Sequence, residues 1–441
     1  MEPASTDLTR EQPPVNAVPG HATPAASSDD VPGVPAAPGV HPALAAAYRG
    51  LDDAAIAGAV LRGTGHGDED EIDMLVAPAD VPRIATVLRS AGFAPVPAIG
   101  HGQHRFFRAY DETSDRWLTL DVVNRLGFGS DGALELDVAA TVLERRQSGP
   151  LPARLAPDDA FWALLLHDLL DRGDVPAGHR AQLDALVGSA RPDGTIGSAV
   201  DRRAGTTTAA ALLGRVRAGD LDGARRAARP AAARWRRRSI ARWAARRLAG
   251  SVQRRLRKAH TAFARRGVDV AILGPDGAGK SRVAASLIAS SSLPTRSIYL
   301  GLYAAGLDRP GRLGLIRRLG RLWRGWLSGA WHRLRGRIVI YDRHALDAAI
   351  TAGDRSRKRR LRRWVLAHAI PGPALIVVLD APGELLHQRS GEHDSTTLER
   401  QRQGYLVLAG RRGAVVIDAS ADPHHVHRAV TAAIWRRWTS R

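Results

Sequence analysis

The sequence predicts an α/β protein in which a C-terminal parallel sheet with helices on both faces follows a separate α+β module. Three observations carry this. From Gly267 onward, short apolar strands alternate with helical stretches, the rhythm of a parallel sheet covered on both sides. The first of those strands, in 268–273, runs directly into a glycine-rich turn and then a helix. Charge also divides the chain: residues 1–200 carry 15 basic and 28 acidic side chains, whereas 201–441 carry 49 and 16. A net charge of +20 is therefore −13 in one half and +33 in the other, which implies modules with different partners.

Along the chain, residues 1–42 are rich in Pro, Ala, Ser and Gly with few large apolar side chains, a composition that predicts a disordered tail. A helix is expected over 43–61, a strand over 71–76 and a further helix over about 80–91. Strands are expected at 104–110 and 117–123, separated by the polar turn DETSD. Helices over 158–173 and 181–188 complete a module spanning 43–200. Residues 201–266 read as an arginine-rich helical connector, since 201–260 hold 18 basic and 3 acidic residues. Trp235, Ile240, Trp243, Leu248, Val252 and Leu256 recur there at spacings that suit amphipathic helices. A second basic stretch, 309–337, interleaves Leu315, Leu319, Leu322, Trp326 and Trp331 with Arg317, Arg318, Arg321 and Arg324. Both stretches fit helices packed on a core with a solvated basic face. The alternative is a surface for an anionic membrane or nucleic acid. The module at 267–441 takes its strands from VDVAIL, SIYLGL, GRIVIYD, PALIVVLD and AVVIDA.

The chain of 441 residues has length for two or three domains. It contains no cysteine, so disulfides and thiolate metal sites are excluded. With no apolar run of membrane-spanning length and no basic-then-apolar leader, a cytoplasmic location is expected.

The chemistry concentrates at the glycine turn. Gly274-x-x-x-x-Gly279-Lys280-Ser281 between a strand and a helix is a phosphate-binding loop. Gly274, Asp276, Gly277, Ala278 and Gly279 curl the backbone so that N–H groups and the helix N-terminus face phosphate oxygens, with Arg282 on the first turn. Lys280 reaches the β- and γ-phosphates of ATP, and the Ser281 hydroxyl sits on Mg²⁺. Only three lysines occur among 64 basic residues, Lys258, Lys280 and Lys358, yet the position that wants a compact ammonium holds one of them. Asp342 and Arg343 end the strand IVIYD, where ligands of open sheets bind. The acid suits Mg²⁺ or its waters and the arginine suits a phosphate. Asp380 ends another strand, and Arg389 is expected in a polar loop that acts as a lid, before a helix bearing Arg400, Arg402 and Tyr405.

Together and in this order, over about 267–420, these segments resemble the thymidylate kinase family of nucleoside-monophosphate kinases. GPDGAGKS is similar to its phosphate loop, DRH to its Asp-Arg-aromatic motif, LDAPGELLHQR to the strand entering the lid, and ERQRQGYLVLA to the helix carrying a tyrosine. The resemblance implies ATP-dependent phosphorylation of a nucleoside monophosphate, with Lys280 and Ser281 serving ATP and Mg²⁺, Arg343 the acceptor phosphate and Arg389 the transition state. Two departures stand out. Arg282 occupies the family's Thr position, and TRSIYLGLYAAG occupies the place of the Arg-Glu-Pro-Gly acceptor segment.

LRGTGHGDEDEIDMLVAP resembles the opening of nucleotidyltransferase-fold proteins, with a Gly63-Thr64 turn followed by carboxylates on a strand. Period-two spacing puts Glu71 and Asp73 on one face, where with Asp121 they are candidates to hold Mg²⁺. His66, His101 and His104 read as surface residues, because they lack the helical spacing of metal-binding pairs. The leading expectation is a phosphotransferase acting on a nucleoside monophosphate. The alternatives are a kinase of a sugar or lipid-linked acceptor, and an ATP-responsive binding protein in which both modules are degenerate.

Overall fold

The computed structural model describes residues 40–63, 71–96, 104–129, 132, 134–147, 152–238, 267–300, 312–350 and 356–440. Of the expected tail over 1–42, residues 1–39 lie outside them, as do Thr64, His66, His101 and the connector positions Ile240 to Leu256; at its end His41 caps a helix that already begins at Pro42.

Apolar strands build two five-stranded sheets, the second from runs such as Leu375–Asp380 that are buried almost throughout. The first follows α1 (Pro42–Asp53) and contains β1 (Gly58–Arg62), β2 (Glu71–Val76), β3 (Ala94–Val96), β4 (Arg105–Asp111) and β5 (Arg116–Val123), with α2 (Val81–Ser90) between β2 and β3. Its order is β1-β2-β5-β4-β3, and only β2 and β5 run parallel. The helix expected over 43–61 is thus a helix followed by a strand. Ala55 turns the chain at φ 52, and Ala59 and Val60 then pair with Leu75 and Met74. A local apolar run is read equally well as helix or strand; the partner strand decides.

After the hairpin β6 (Leu126–Phe128) and β7 (Leu134–Leu136) come α3 (Ala139–Glu144), α4 (Pro157–His167), α5 (Ala177–Leu186), α6 (Thr195–Ala204), α7 (Thr208–Arg217) and α8 (Leu221–Arg238). These pack around Phe161 and Trp162, which are fully buried. Within the arginine-rich stretch, α7 and α8 send Leu212, Leu213, Val216, Ala228 and Trp235 into that same core.

Asp159 lies wholly inside this bundle, with neither carboxylate oxygen hydrogen-bonded and Arg145 3.7 Å away. Burial lifts its pKa from 3.8 to about 6, with Arg145 opposing and Asp158 adding to the rise. A raised carboxyl stabilises the fold below its unfolded value and loses that contribution as pH climbs through 6. Asp159→Asn, which stays neutral, is therefore expected to gain on the parent by about 3 kcal/mol between pH 4 and pH 7. Thermal melts across that range check this; parallel curves for the two proteins would refute it.

The second sheet contains β8 (Asp269–Leu273), β9 (Thr295–Tyr299), β10 (Ile338–Asp342), β11 (Leu375–Asp380) and β12 (Val415–Asp418), all parallel in the order β12-β11-β8-β10-β9. Its helices are α9 (Lys280–Ser290), α10 (Arg312–Leu334), α11 (Arg357–Ala367), α12 (Gly383–Ser390), α13 (Ser395–Arg412) and α14 (Pro423–Thr439). Val270, Ile272, Ile340 and Val377 face α9 and α14. The opposite side, through Ala271, Leu273, Val339 and Tyr341, is covered by α10, α11 and α13. The β4–β5 hairpin of the first sheet docks on α14. Trp117 meets Trp435 edge-on with ring centroids 5.2 Å apart, and Arg436 Nη1 donates to Glu112 at 3.0 Å.

Candidate active site

The central strand β8 ends at Leu273 and delivers the chain to the carboxyl edge of the sheet, where open α/β sheets bind ligands. Gly274 and Gly277 hold φ of 149° and 88°. A Cβ at either would lie 2.7 Å from the Leu379 carbonyl or 2.6 Å from the Leu386 carbonyl, so only glycine fits. Gly279 at φ 86° opens α9, whose N-terminus has no side-chain cap among the described residues. Such an end presents N–H groups and positive partial charge to an anion.

Lys280 is buried and folds across its own loop. Its Nζ donates to Gly274 O at 2.8 Å and Pro275 O at 2.7 Å, with Asp276 Oδ1 at 3.4 Å. Arg343 Nη2 donates to the same Asp276 oxygen at 2.9 Å. Burial would raise the Asp276 carboxyl, but Lys280 and Arg343 outweigh it and hold it below the usual carboxylate range. Burial in turn lowers Lys280, against the pull of Asp276.

Arg343 is aimed by its backbone. It sits at φ 66°, a left-handed conformation that a non-glycine residue keeps only when its surroundings impose it. Behind it, Asp347 accepts from the His344 N–H at 3.1 Å and from Tyr405 Oη at 2.9 Å. This brace links the strand-end turn to α13.

One cavity of about 890 Å³ opens over the loop. Asp276 through Arg282, Arg343 and Arg389 all line it, whereas Gly274 and Asp342 are not among its walls. Gly274 serves through its carbonyl, and Asp342 stands half-buried at the end of β10. Arg389 is not in a loop as the sequence suggested. Pro382 and the left-handed Gly391 delimit the helix α12, and Arg389 lies in its last turn, with Nη1 donating to Ala419 O at 2.8 Å. Asp380 and Arg402 pair with each other at 2.7 and 3.0 Å, which makes them a brace between β11 and α13.

Sequence reasoning missed the far wall. Asp115, from the turn of the β4–β5 hairpin, lines the cavity together with Ser286, Ser290 and His427. His427 bridges the two serines at 2.9 and 3.0 Å. The only local signal for Asp115 is its place in the polar DETSD turn.

In the first sheet, register brings three carboxylates together. Asp73 pairs directly with Asp121 across β2 and β5, and one oxygen from each of Glu71, Asp73 and Asp121 lies within 4.8 Å of the others. Arg62 Nε donates to Asp73 at 2.6 Å, and His104 Nδ1 lies 2.6 Å from Asp121 Oδ2. His104, expected as a plain surface residue, is thus a partner of the triad, and its hydrogen bond to Asp121 raises its pKa against burial. Burial, then Asp73 and Asp121, raise Glu71. Asp121 is buried and its Oδ1 has no hydrogen-bond partner. An all-oxygen set with a buried orphan oxygen fits a hard divalent cation such as Mg²⁺.

No protein-family model matches this chain, and no curated protein matches it in sequence. Among solved structures, the thymidylate kinase from Candida albicans is similar over 40% of this chain and 94% of its own, at 17% identity and a TM-score of 0.32. The five-stranded, all-parallel sheet flanked by helices, with a glycine loop leaving its central strand, is compatible with a P-loop kinase fold.

Proposed function

We propose that the chain is an ATP-dependent phosphotransferase with a nucleoside monophosphate as its acceptor. The observation that carries this reading is the convergence of Lys280, Arg343 and Arg389 on the cavity above the glycine loop. Phosphoryl transfer asks a protein chiefly for positioning and for positive charge around the equatorial oxygens. Lys280 balances the β- and γ-phosphate charge, Arg343 holds the acceptor phosphate, and Arg389 steadies charge in the transition state. Ser281, in the cavity wall, is the residue that would hold Mg²⁺, which supplies further charge neutralisation when bound; Asp342 ends β10 outside those walls.

Turnover of ATP by the purified protein against a panel of nucleoside monophosphates and sugars tests this. ADP release that depends on a monophosphate is expected. Dependence on a sugar instead would move the acceptor to the other class, and tight ATP binding with no turnover would leave a binding protein.

The carboxylate triad favours a second reading for the N-terminal module, metal-dependent nucleotidyl transfer. Glu71, Asp73 and Asp121 would hold the metal, and the orphaned Asp121 Oδ1 supports it.

A further inference from the structure

Two of the three helices that cover one side of the second sheet, α10 and α11, have apolar outer faces as well as apolar inner ones. On α10, Leu315, Leu319, Leu322 and Trp326 pack on the cluster around Val339 and Tyr341. A second stripe, Ile316, Trp323, Leu327 and Trp331, lies roughly a third of a turn away at about 100° per residue. Those four side chains are 63%, 44%, 56% and 56% exposed. On α11, Leu366 and Ala367 enter the same cluster while Leu361 and Trp364 stand 63% and 60% exposed. Six of the ten exposed large apolar side chains among the described residues therefore lie on two helices of one layer.

Charge on these helices has one sign. Arg312–Leu334 holds six arginines and no acid, and Arg357–Ala367 holds five arginines, Lys358 and no acid. Arg317 and Arg324 are exposed beside the stripe, and the Arg335 guanidinium lies over the Trp331 ring at 4.4 Å. No helix among the described residues is long and apolar enough to cross a membrane.

We infer that the outer faces of α10 and α11 form a docking surface for an anionic lipid bilayer. Tryptophan and leucine enter the headgroup and upper acyl region while the arginines meet lipid phosphates. A second copy of the chain is a poor occupant, because two such faces would bring like charges together. Nucleic acid satisfies the arginines but leaves Ile316, Leu327 and Leu361 in water. The docking surface stands independently of the phosphotransferase reading.

Sedimentation of the full chain with vesicles tests this, using phosphatidylcholine containing about one phosphatidylserine in three against phosphatidylcholine alone. Binding to the anionic vesicles only is expected. Replacing Trp323, Leu327 and Trp364 by Gln leaves every positive charge in place and is expected to weaken binding at least about tenfold. Thermal melts of parent and variant check folding, and quenching of the parent's tryptophans by brominated lipid reads insertion without any substitution. Vesicle binding undiminished in the variant, or no quenching in the parent, would overturn the inference. So would a variant that loses binding to a DNA duplex, or self-association, while holding vesicles as tightly as the parent.

Discussion

Lys280→Ala is expected to lower ATP-dependent phosphoryl transfer by about a hundred- to a thousandfold or more, the scale of removing one charge that stabilises a transition state. The loop geometry gives a second consequence. Lys280 is the group that bonds the Gly274 and Pro275 carbonyls and sits by Asp276. Its loss leaves Arg343 as the charged partner hydrogen-bonded to that carboxylate, so Asp276 is expected to draw closer to an ordinary carboxylate pKa. Steady-state turnover with circular dichroism as a fold check measures the first effect. Turnover equal to the parent's would remove Lys280 from the mechanism. Retained ATP affinity with lost turnover would confine its role to the transition state.

Asp121→Asn is expected to remove divalent-ion binding at the triad and any nucleotidyl transfer that depends on it, by orders of magnitude, while phosphoryl transfer at Lys280 stays near the parent value. Asp121 is the residue to change because it is buried, with His104 on one oxygen and the other orphaned. Titration with Mn²⁺, followed by paramagnetic resonance, reports binding without any assay of turnover. The sign of its pH dependence follows from His104. Protonated, it competes for Asp121, so ion binding should strengthen as pH rises through its elevated pKa. An identical Mn²⁺ titration in parent and variant would exclude the triad as a metal site.

Features confined to one window of chain were legible from the residues alone. The glycine loop is one of these, since strand, turn and helix are contiguous and the glycines meet a local backbone demand. The strand–helix rhythm after Gly267 and the shared face of Glu71 and Asp73 are others, set by periods of 3.6 and 2 residues. Asp73 opposite Asp121, by contrast, depends on the register of two strands far apart in sequence. The junction at 53–58 needed β2 as a partner, whereas the helix end at Gly391 that places Arg389 was signalled locally by the glycine itself. Asp276 meets Arg343 across 67 positions, and Asp115 reaches the cavity over the glycine loop from the other sheet. Contacts of this kind are fixed by packing and strand pairing between distant segments, and no local pattern of residues encodes them. Composition revealed the arginines and tryptophans of 312–334, but only the packed helix separates Trp326, which it sets against the core, from Trp323 and Trp331, which it leaves exposed.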